Sequence, residues 1–262
     1  MFGHLRYVYI SLKFMSKEEV KALPANEKEL LKWAIENSKD AKNIRQDHLM
    51  THEEFKEMWN DLCPDTVQQL KDNIAKINSK PNDDEMYLAL DHLLFIVEDI
   101  DAADWFADLH GYDAVVPLLN HNNVEIRMAA AWIISYTLQN NPKVQKKYFN
   151  QYGMKYIMEA VDKETVEKPM TRKFSLVANA IRGSKDLKKQ FYELNGLETM
   201  KKACQVADQL YFRFCWMIGA ILDEEDKEDK LKFKESGIKS FLEEHKKIIN
   251  DDEMYNNVIS RL

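Results

Sequence analysis

The feature that most constrains this chain is a turn signal that recurs at a nearly constant interval. Four of its seven glycines are separated by 42, 43 and 41 residues: Gly111, Gly153, Gly196 and Gly237. Each follows an aromatic residue by four or five positions and precedes an apolar run with helical spacing; the aromatic residues are Phe106, Phe149, Phe191 and Phe233. Because a unit of this kind cannot bury its apolar face alone, neighbouring units must stack on one another.

The length and type of this unit predict the fold. Helical repeats of about 40–47 residues are typical of HEAT and armadillo arrays, and no segment sustains the two-residue alternation of a strand. We predict an all-α protein with a flexible N-terminal arm over residues 1–25, an N-terminal helical cap over residues 26–80, and an armadillo-like helical-repeat solenoid over residues 81–262. A solenoid presents an extended concave surface, so we expect a protein that binds other proteins.

Capping residues locate several helix starts. N-caps are predicted at Asn26, Thr51 and Asp65, and a glutamate three residues after each of the first two completes a capping box. In the first glycine unit, the spacing of apolar residues predicts a long helix over residues 125–138. In the second unit, Lys168-Pro169 is interpreted as the loop before the corresponding helix.

Charge and hydropathy argue against two classes of partner. The formal net charge is −7 and no face is dense in Lys and Arg, so nucleic acid is not an expected partner. The strongest charge run, residues 223–229, is acidic and is predicted to form a solvated loop between helices. No run of 18 apolar residues is present, so no membrane span is predicted. Arg6 and Lys13 interrupt the apolar start of the chain, which does not resemble a secretory signal.

The sequence indicates neither a metal site nor a catalytic centre. His48 and His52 lie four residues apart without an evident third ligand. The carboxylate clusters, Asp99 with Asp101 among them, have no nucleophile nearby and are predicted to be helix caps and solvated faces. There is no phosphate-binding glycine loop and no G-x-S-x-G, so we expect no enzyme activity, no cofactor and no metal. Three cysteines without CxxC spacing are expected to be buried free thiols: Cys63, Cys204 and Cys215.

Polar and aromatic residues recur on the long helix that ends each unit. They are spaced by three or four residues and would form a row along the concave face, where they could bind a partner's backbone or carboxylates. Packing between repeats is an alternative explanation for the same residues, and the helix C-terminus alone would favour the cation at Arg182. The row comprises Tyr136, Gln139, Asn140, Asn179, Arg182, Trp216 and Asp223.

A known family carries several of these stretches in the same order. The chain resembles the armadillo-type nucleotide exchange factors of 70-kDa heat-shock (DnaK-type) chaperones, in the cytosolic branch of the fungal Fes-type factors and the animal heat-shock-protein-binding protein. The resemblance runs from about residue 27 to the end. It departs from the family at Ala102, where an asparagine is usual, and at Gly183, where an asparagine usually follows the arginine. The matching stretches include residues 30–35 (LLKWAI), 98–103 (EDIDAA), 129–134 (AAAWII), 139–145 (QNNPKVQ) and 178–182 (ANAIR).

The resemblance implies a co-chaperone without chemistry of its own. Its concave face would bind one lobe of the chaperone's nucleotide-binding domain and promote ADP release, and the basic, aliphatic arm would assist client release. It implies a cytoplasmic monomer that binds neither nucleic acid nor membrane. The alternative is a generic armadillo scaffold that holds extended peptides of partner proteins. The residues expected to bind the chaperone are Glu98, Asp101, Ala103, Arg127, Tyr136, Gln139, Asn140, Asn179, Arg182 and Trp216.

Three questions stay open at the level of sequence. Either Met1 or Met15 fits as the initiating residue, and the arm could be dispensable. The final tripeptide, Ser260-Arg261-Leu262, resembles a peroxisomal address but arises easily by chance. The identity of the chaperone isoform and the affinity for it are not encoded in any motif.

Overall fold

Helices recur in the structure with the period that the glycines predict. The structure is a computed structural model that describes residues 65–262, so the predicted arm and residues 26–64 of the predicted cap lie outside it. Every regular element in the described part is helical, which confirms the predicted all-α class there. Residues from Pro64 onward form one compact unit, and the division predicted at residue 80 stays a prediction.

Two helices, α1 (Thr66–Asn78) and α2 (Asp83–Ile96), open this unit, and three repeats of three helices follow. The first helices of the repeats are α3 (Ile100–Asp108), α6 (Pro142–Gln151) and α9 (Lys185–Glu193). The second are α4 (Gly111–Val115), α7 (Lys155–Lys163) and α10 (Gly196–Ala203), of which α4 and α10 continue into 3-10 turns. The third and longest are α5 (Val124–Leu138), α8 (Glu167–Ile181) and α11 (Gln209–Leu222). Four short helices complete the chain: α12 (Lys227–Glu235), α13 (Ile238–Glu244), α14 (Lys246–Ile249) and α15 (Asp252–Arg261).

Side-chain caps fix where several helices begin. Asp65 caps α1 as predicted, because its Oδ1 accepts hydrogen bonds from the backbone N–H groups of Val67 at 2.9 Å and Gln68 at 3.2 Å. Asp99 caps α3 in the same way and accepts from the N–H of Asp101 at 2.9 Å. These carboxylates satisfy donors that have no partner within the first turn of a helix. The interpretation of Asp99 as a cap is therefore confirmed.

The pairing of aromatic residue and glycine has a packing explanation at two positions. Gly111 and Gly196 each begin the second helix of a repeat. A Cβ atom at Gly111 would collide with the ring of Phe106, and one at Gly196 would collide with the ring of Phe191. At Gly153 the reason is conformational, because its φ of 63° lies in the left-handed region that side chains disfavour. The same turn of the repeat therefore requires glycine for a steric reason at Gly111 and Gly196 and for a conformational reason at Gly153.

The third helices form the core of the stack. Helix α5 packs against α2 on one side and α8 on the other, and α11 packs against α8. Ala130 and Ala131 on α5 are fully buried, as are Ile133 and Ile134. Small alanines let neighbouring helices approach closely while the isoleucines fill the space between them. This order brings the polar faces of α5, α8 and α11 side by side.

The structure corrects the interpretation of Lys168-Pro169 as a loop. Both residues lie in the first turn of α8, which begins at Glu167. Proline is tolerated there because the N–H groups of the first turn have no acceptor within the helix. Because Pro169 is interpreted from the sequence as a loop residue, the predicted helix begins about one turn too late.

The structure also corrects the prediction that the acidic run at residues 223–229 forms a solvated loop. Asp223, Glu224 and Glu225 are exposed as predicted, but Asp229 lies on α12 and is only 1% exposed. Its carboxylate accepts hydrogen bonds from Lys188 Nζ at 2.6 Å and from Tyr192 Oη at 2.6 Å, both on α9. A buried carboxylate is stable only with such partners. Asp229 therefore joins the third repeat to the terminal helices.

Candidate partner-binding groove

Two adjoining pockets form a groove over the third helices. The first, of about 410 Å³, lies across α5, α8 and α11, and the second, of about 420 Å³, lies between the end of α5 and the α2–α3 connection. Tyr136 and Gln139 line both pockets, which makes the groove continuous. The first pocket is lined by Trp132, Ser135, Tyr136, Gln139, Arg172, Phe174, Ser175, Ala178, Asn179, Phe212, Arg213 and Trp216. The second is lined by Val97, Glu98, Ile100, Ala103, Tyr136, Gln139, Asn140 and Asn141.

Aromatic rings and a stacked arginine dominate the first pocket. The ring centroids of Trp132 and Tyr136 are 5.8 Å apart on α5. The guanidinium carbon of Arg172, on α8, lies 3.4 Å from the ring centroid of Trp132. Partial burial, with the nearby charge of Arg213, lowers the pKa of Arg172 from its ordinary value. Trp216, on α11, is 47% exposed although it is a large apolar side chain. Exposed tryptophan beside arginine is the composition of many binding surfaces.

Asn179 forms part of the polar floor of this pocket. Its Nδ2 donates to the Ser135 side-chain Oγ at 2.9 Å and thus joins α8 to α5. A partner that contacts Asn179 would therefore meet a side chain whose orientation is already fixed by its neighbour. This contact makes Asn179 both a lining residue and a link between two repeats.

The QNNPKVQ stretch builds the connection beneath the second pocket. Asn140 adopts a left-handed conformation with φ of 53°, and Asn141 Oδ1 caps α6 by accepting from the N–H of Val144. Gln145 is 2% exposed, and its Nε2 lies 3.0 Å from the carbonyl oxygen of Leu138. The same nitrogen lies 3.0 Å and 2.9 Å from the carbonyl oxygens of Asn179 and Arg182. One amide therefore joins the ends of two third helices.

The structure brings most of the predicted binding residues together. Three lie outside the groove lining: Asp101, Arg127 and Arg182. Arg182 is exposed at the C-cap of α8, and Asp101 is exposed in the first turn of α3. Their roles in binding stay predictions. The seven that line the groove are Glu98, Ala103, Tyr136, Gln139, Asn140, Asn179 and Trp216.

Arg127 has partners within the chain. Its Nε donates to Glu164 at 2.9 Å, and its Nη1 donates to the carbonyl oxygen of His121 at 2.8 Å. Glu164 also accepts from Lys173 Nζ at 2.7 Å. Burial on its own raises the pKa of Glu164, but the hydrogen bonds from Arg127 and Lys173 outweigh it and hold that pKa below its ordinary value. These contacts join the first and second repeats, so the guanidinium of Arg127 contributes to stacking.

Sequence reasoning missed the two arginines of the first pocket. Arg172 and Arg213 are 41 residues apart and lie on neighbouring third helices, α8 and α11. A usable signal was present: each precedes another lining residue, Ser175 or Trp216, by three positions. The residues that flank the two arginines are apolar, so the sequence does not show which side of these helices faces the core. Only the packed structure shows which side remains uncovered.

The described residues outside the groove include two free thiols and no cluster of metal-ligating side chains. Residues 65–262 contain no group of three or more His, Cys, Asp or Glu side chains that could hold a metal ion. Over the same residues, no helix has the length and apolarity to cross a membrane. Cys204 and Cys215 are free and buried as predicted, and burial raises the pKa of the Cys215 thiol to about 11. Cys63, His48 and His52 lie outside the described residues.

Known proteins resemble this chain in sequence and in fold. Residues 28–105 match the family model described as nucleotide exchange factor Fes1. The Hsp70 nucleotide exchange factor FES1 of Saccharomyces cerevisiae is 28% identical over 176 residues, which cover 64% of this chain and 60% of that protein. The FES1 protein of Gibberella zeae is 27% identical over 151 residues, which cover 55% and 71%. The predicted family resemblance is confirmed. The chain spans about 60% of the length of the Saccharomyces and Eremothecium relatives that it matches.

Solved structures confirm the predicted armadillo-like fold. A designed armadillo repeat protein in complex with the peptide (KR)4 has a TM-score of 0.64 and 15% identity, and the match covers 94% of this chain and 98% of that one. A computationally designed armadillo repeat protein for modular peptide recognition has a TM-score of 0.62 and 13% identity, with 80% and 93% covered. At these identities the likeness concerns the fold alone.

Proposed function

We propose that this chain is a nucleotide exchange factor for a 70-kDa heat-shock chaperone. The observation that carries the proposal is its similarity to Fes1-type exchange factors over 176 residues. The groove supports it, since residues 98 and 103 in the matched family segment line the second pocket together with the end of α5. A surface of aromatic and polar side chains suits a protein partner.

The proposed mechanism requires binding energy alone. The factor binds the chaperone's nucleotide-binding domain more tightly in an arrangement whose two lobes no longer close on ADP. Because the two equilibria are linked, ADP must weaken the binding of the factor by the same ratio by which the factor weakens the binding of ADP. The factor thus shifts a population that already exists and makes or breaks no covalent bond.

The residues proposed to make most of the contact are those that line the groove, and Arg182 at the exposed end of α8 is proposed as a further contact. Trp216 supplies an exposed apolar surface of the kind that concentrates binding energy. Tyr136 and Gln139 lie where the two pockets meet, so a partner that fills both must contact them. Glu98 and Asn140 offer an acceptor and an amide at the second pocket.

The remaining parts of the proposal concern the location, the oligomeric state and the N-terminal arm. The chain is proposed to act in the cytoplasm and as a monomer, as its resemblance to the cytosolic branch of exchange factors implies. The arm at residues 1–25 is proposed, on its basic and aliphatic sequence alone, to compete for the chaperone's peptide site and assist client release. Deleting it should slow client release while ADP release remains unchanged, and a loss of ADP release would contradict this role.

The linkage between factor and ADP gives the direct test of binding. The dissociation constant of the factor for the isolated nucleotide-binding domain should rise several-fold when ADP is added at saturation. An affinity that is equal with and without ADP would refute the proposal. Recovery of extended peptides without any affinity for the chaperone would instead favour the peptide-holding scaffold.

A matched pair of tryptophans tests the groove. Trp216 lies in the groove and is 47% exposed, whereas Trp105 lies outside it and is 41% exposed. Trp216→Ala should weaken chaperone binding about thirtyfold, the usual effect of losing an aromatic hot spot. Trp105→Ala removes a similar surface and should leave binding unchanged. Equal effects of the two substitutions would place the contact elsewhere.

A further inference from the structure

The two arginines of the groove have no acidic partner among the residues that the structure describes. Neither the Arg172 nor the Arg213 guanidinium makes a hydrogen bond or ion pair with another of residues 65–262, although Arg172 stacks on Trp132. Elsewhere in this part of the chain, Arg127 pairs with Glu164 and Arg261 pairs with Asp223. Among residues 65–262 the guanidinium of Arg182, at the exposed end of α8, also has no such partner, but only Arg172 and Arg213 are unpaired in the lining of the groove.

The charge of the first pocket is opposite to that of the molecule. The chain has 44 acidic and 37 basic residues and a net charge of −7. The side chains that line the first pocket nevertheless include two arginines and no aspartate or glutamate. Arg213 is also close enough for its charge to act on Arg172. Two like charges held together in a partly buried site are unfavourable unless an anion neutralises them.

The chemical type of these cations indicates which class of anion the pocket can bind. Guanidinium groups present planar pairs of N–H donors that match the two oxygens of a carboxylate. The stack on Trp132 leaves the edge of the Arg172 guanidinium, which carries its N–H donors, available to a ligand. Trp216 and Phe212 beside them are exposed apolar surfaces on which the flanking part of a peptide can lie. The overall negative charge disfavours a nucleic acid as the source of the anion.

We infer that the first pocket binds an acidic segment of the partner protein, with an aspartate or glutamate carboxylate held between Arg172 and Arg213. The inference rests on the proposed function, because the partner in question is the chaperone. It assigns the specificity of the groove to charge, whereas the exposed tryptophan supplies contact area. A partner lobe that lacks an acidic segment at this place would bind weakly.

Charge-preserving and charge-removing variants test the inference. Arg172→Gln and Arg213→Gln should each weaken chaperone binding about tenfold, and the double variant about a hundredfold. Arg172→Lys keeps the charge but not the paired donors and should fall between wild type and Arg172→Gln. Binding by wild type should weaken as salt rises, and the double variant should lose most of that dependence. Lys239→Gln is the matched control, because Lys239 is exposed and lies outside the groove lining.

Crosslinking identifies the segment itself. A photoreactive residue at position 212, next to Arg213 in the groove, should capture a chaperone peptide that contains aspartate or glutamate. If wild type accelerates ADP release but the captured peptide has no acid and both glutamine variants bind normally, this inference fails and the proposed function stands. If wild type neither binds the chaperone nor releases ADP, both fail. Binding of a single-stranded oligonucleotide as tight as that of the chaperone would also overturn the inference.

Discussion

Gln145 allows a quantitative test of how the groove is held in shape. Its amide nitrogen carries two hydrogens and faces three carbonyl oxygens at 2.9–3.0 Å, on Leu138, Asn179 and Arg182. Gln145→Leu has nearly the same volume but no donor. Two hydrogen bonds are lost and the carbonyl groups are left without their donor, at a cost of about 1–3 kcal/mol for each group that water does not reach.

The expected loss for Gln145→Leu is about 2–4 kcal/mol in the free energy of unfolding, because water can reach the exposed end at Arg182. Urea unfolding followed by circular dichroism measures it. Gln151→Leu on the same helix is the control: Gln151 is exposed, and its amide donates to Asp113 and to Tyr152 Oη in hydrogen bonds that water reaches. Its substitution should cost less than about 0.5 kcal/mol.

Gln145→Glu distinguishes hydrogen bonding from packing. It preserves the shape of the side chain but directs a carboxylate at three carbonyl oxygens, so it should destabilise more than Gln145→Leu at neutral pH. Burial raises the pKa of such a carboxyl above its unfolded value, and the penalty therefore applies above the folded pKa and declines as the pH falls through it. The reasoning would be refuted if Gln145→Leu cost no more than Gln151→Leu, or if Gln145→Glu were the mildest of the three.

Three further predictions concern individual residues outside this hydrogen-bond cluster. Gly196→Ala should lower the melting temperature by several degrees, because the new Cβ collides with the ring of Phe191; a variant as stable as wild type would contradict this packing. Arg182→Ala should weaken chaperone binding about thirtyfold with the melting temperature unchanged, and the reverse pattern would assign Arg182 to the helix end alone. Peptide mapping after brief alkylation at neutral pH should find Cys204 and Cys215 unmodified, since burial raises the pKa of both thiols, and rapid labelling would show that the 3-10 turn after α10 and helix α11 open readily.

The repeat period was visible in the sequence because one turn must use a special residue. At Gly111 and Gly196 an aromatic ring occupies the space that a side chain would need, and at Gly153 the backbone itself requires glycine. Local physics of this kind leaves a residue-level signal. The same holds for Asp65, whose carboxylate caps the first described helix as its position predicts.

Contacts between repeats left no such signal. In the sequence Asp229 belongs to an acidic run that predicts a loop. In the structure its buried carboxylate accepts a hydrogen bond from Lys188, 41 residues earlier. Arg172 and Arg213 face the groove only because α5, α8 and α11 pack in one particular order. Such distant partners cannot be inferred from spacing within one helix. The stretch QNNPKVQ indicates a family in the sequence. Only the structure shows that its last residue, Gln145, joins the ends of two helices through its side-chain amide.

Release of a fluorescent ADP analogue from a 70-kDa heat-shock chaperone tests the central claim most directly. The chaperone is loaded with the analogue, mixed rapidly with excess unlabelled ADP, and followed with increasing amounts of the factor. The account predicts that the release rate rises with factor concentration and saturates, and that Trp216→Ala requires about thirtyfold more factor for the same rate. A release rate that is unchanged at micromolar wild-type factor would contradict the account.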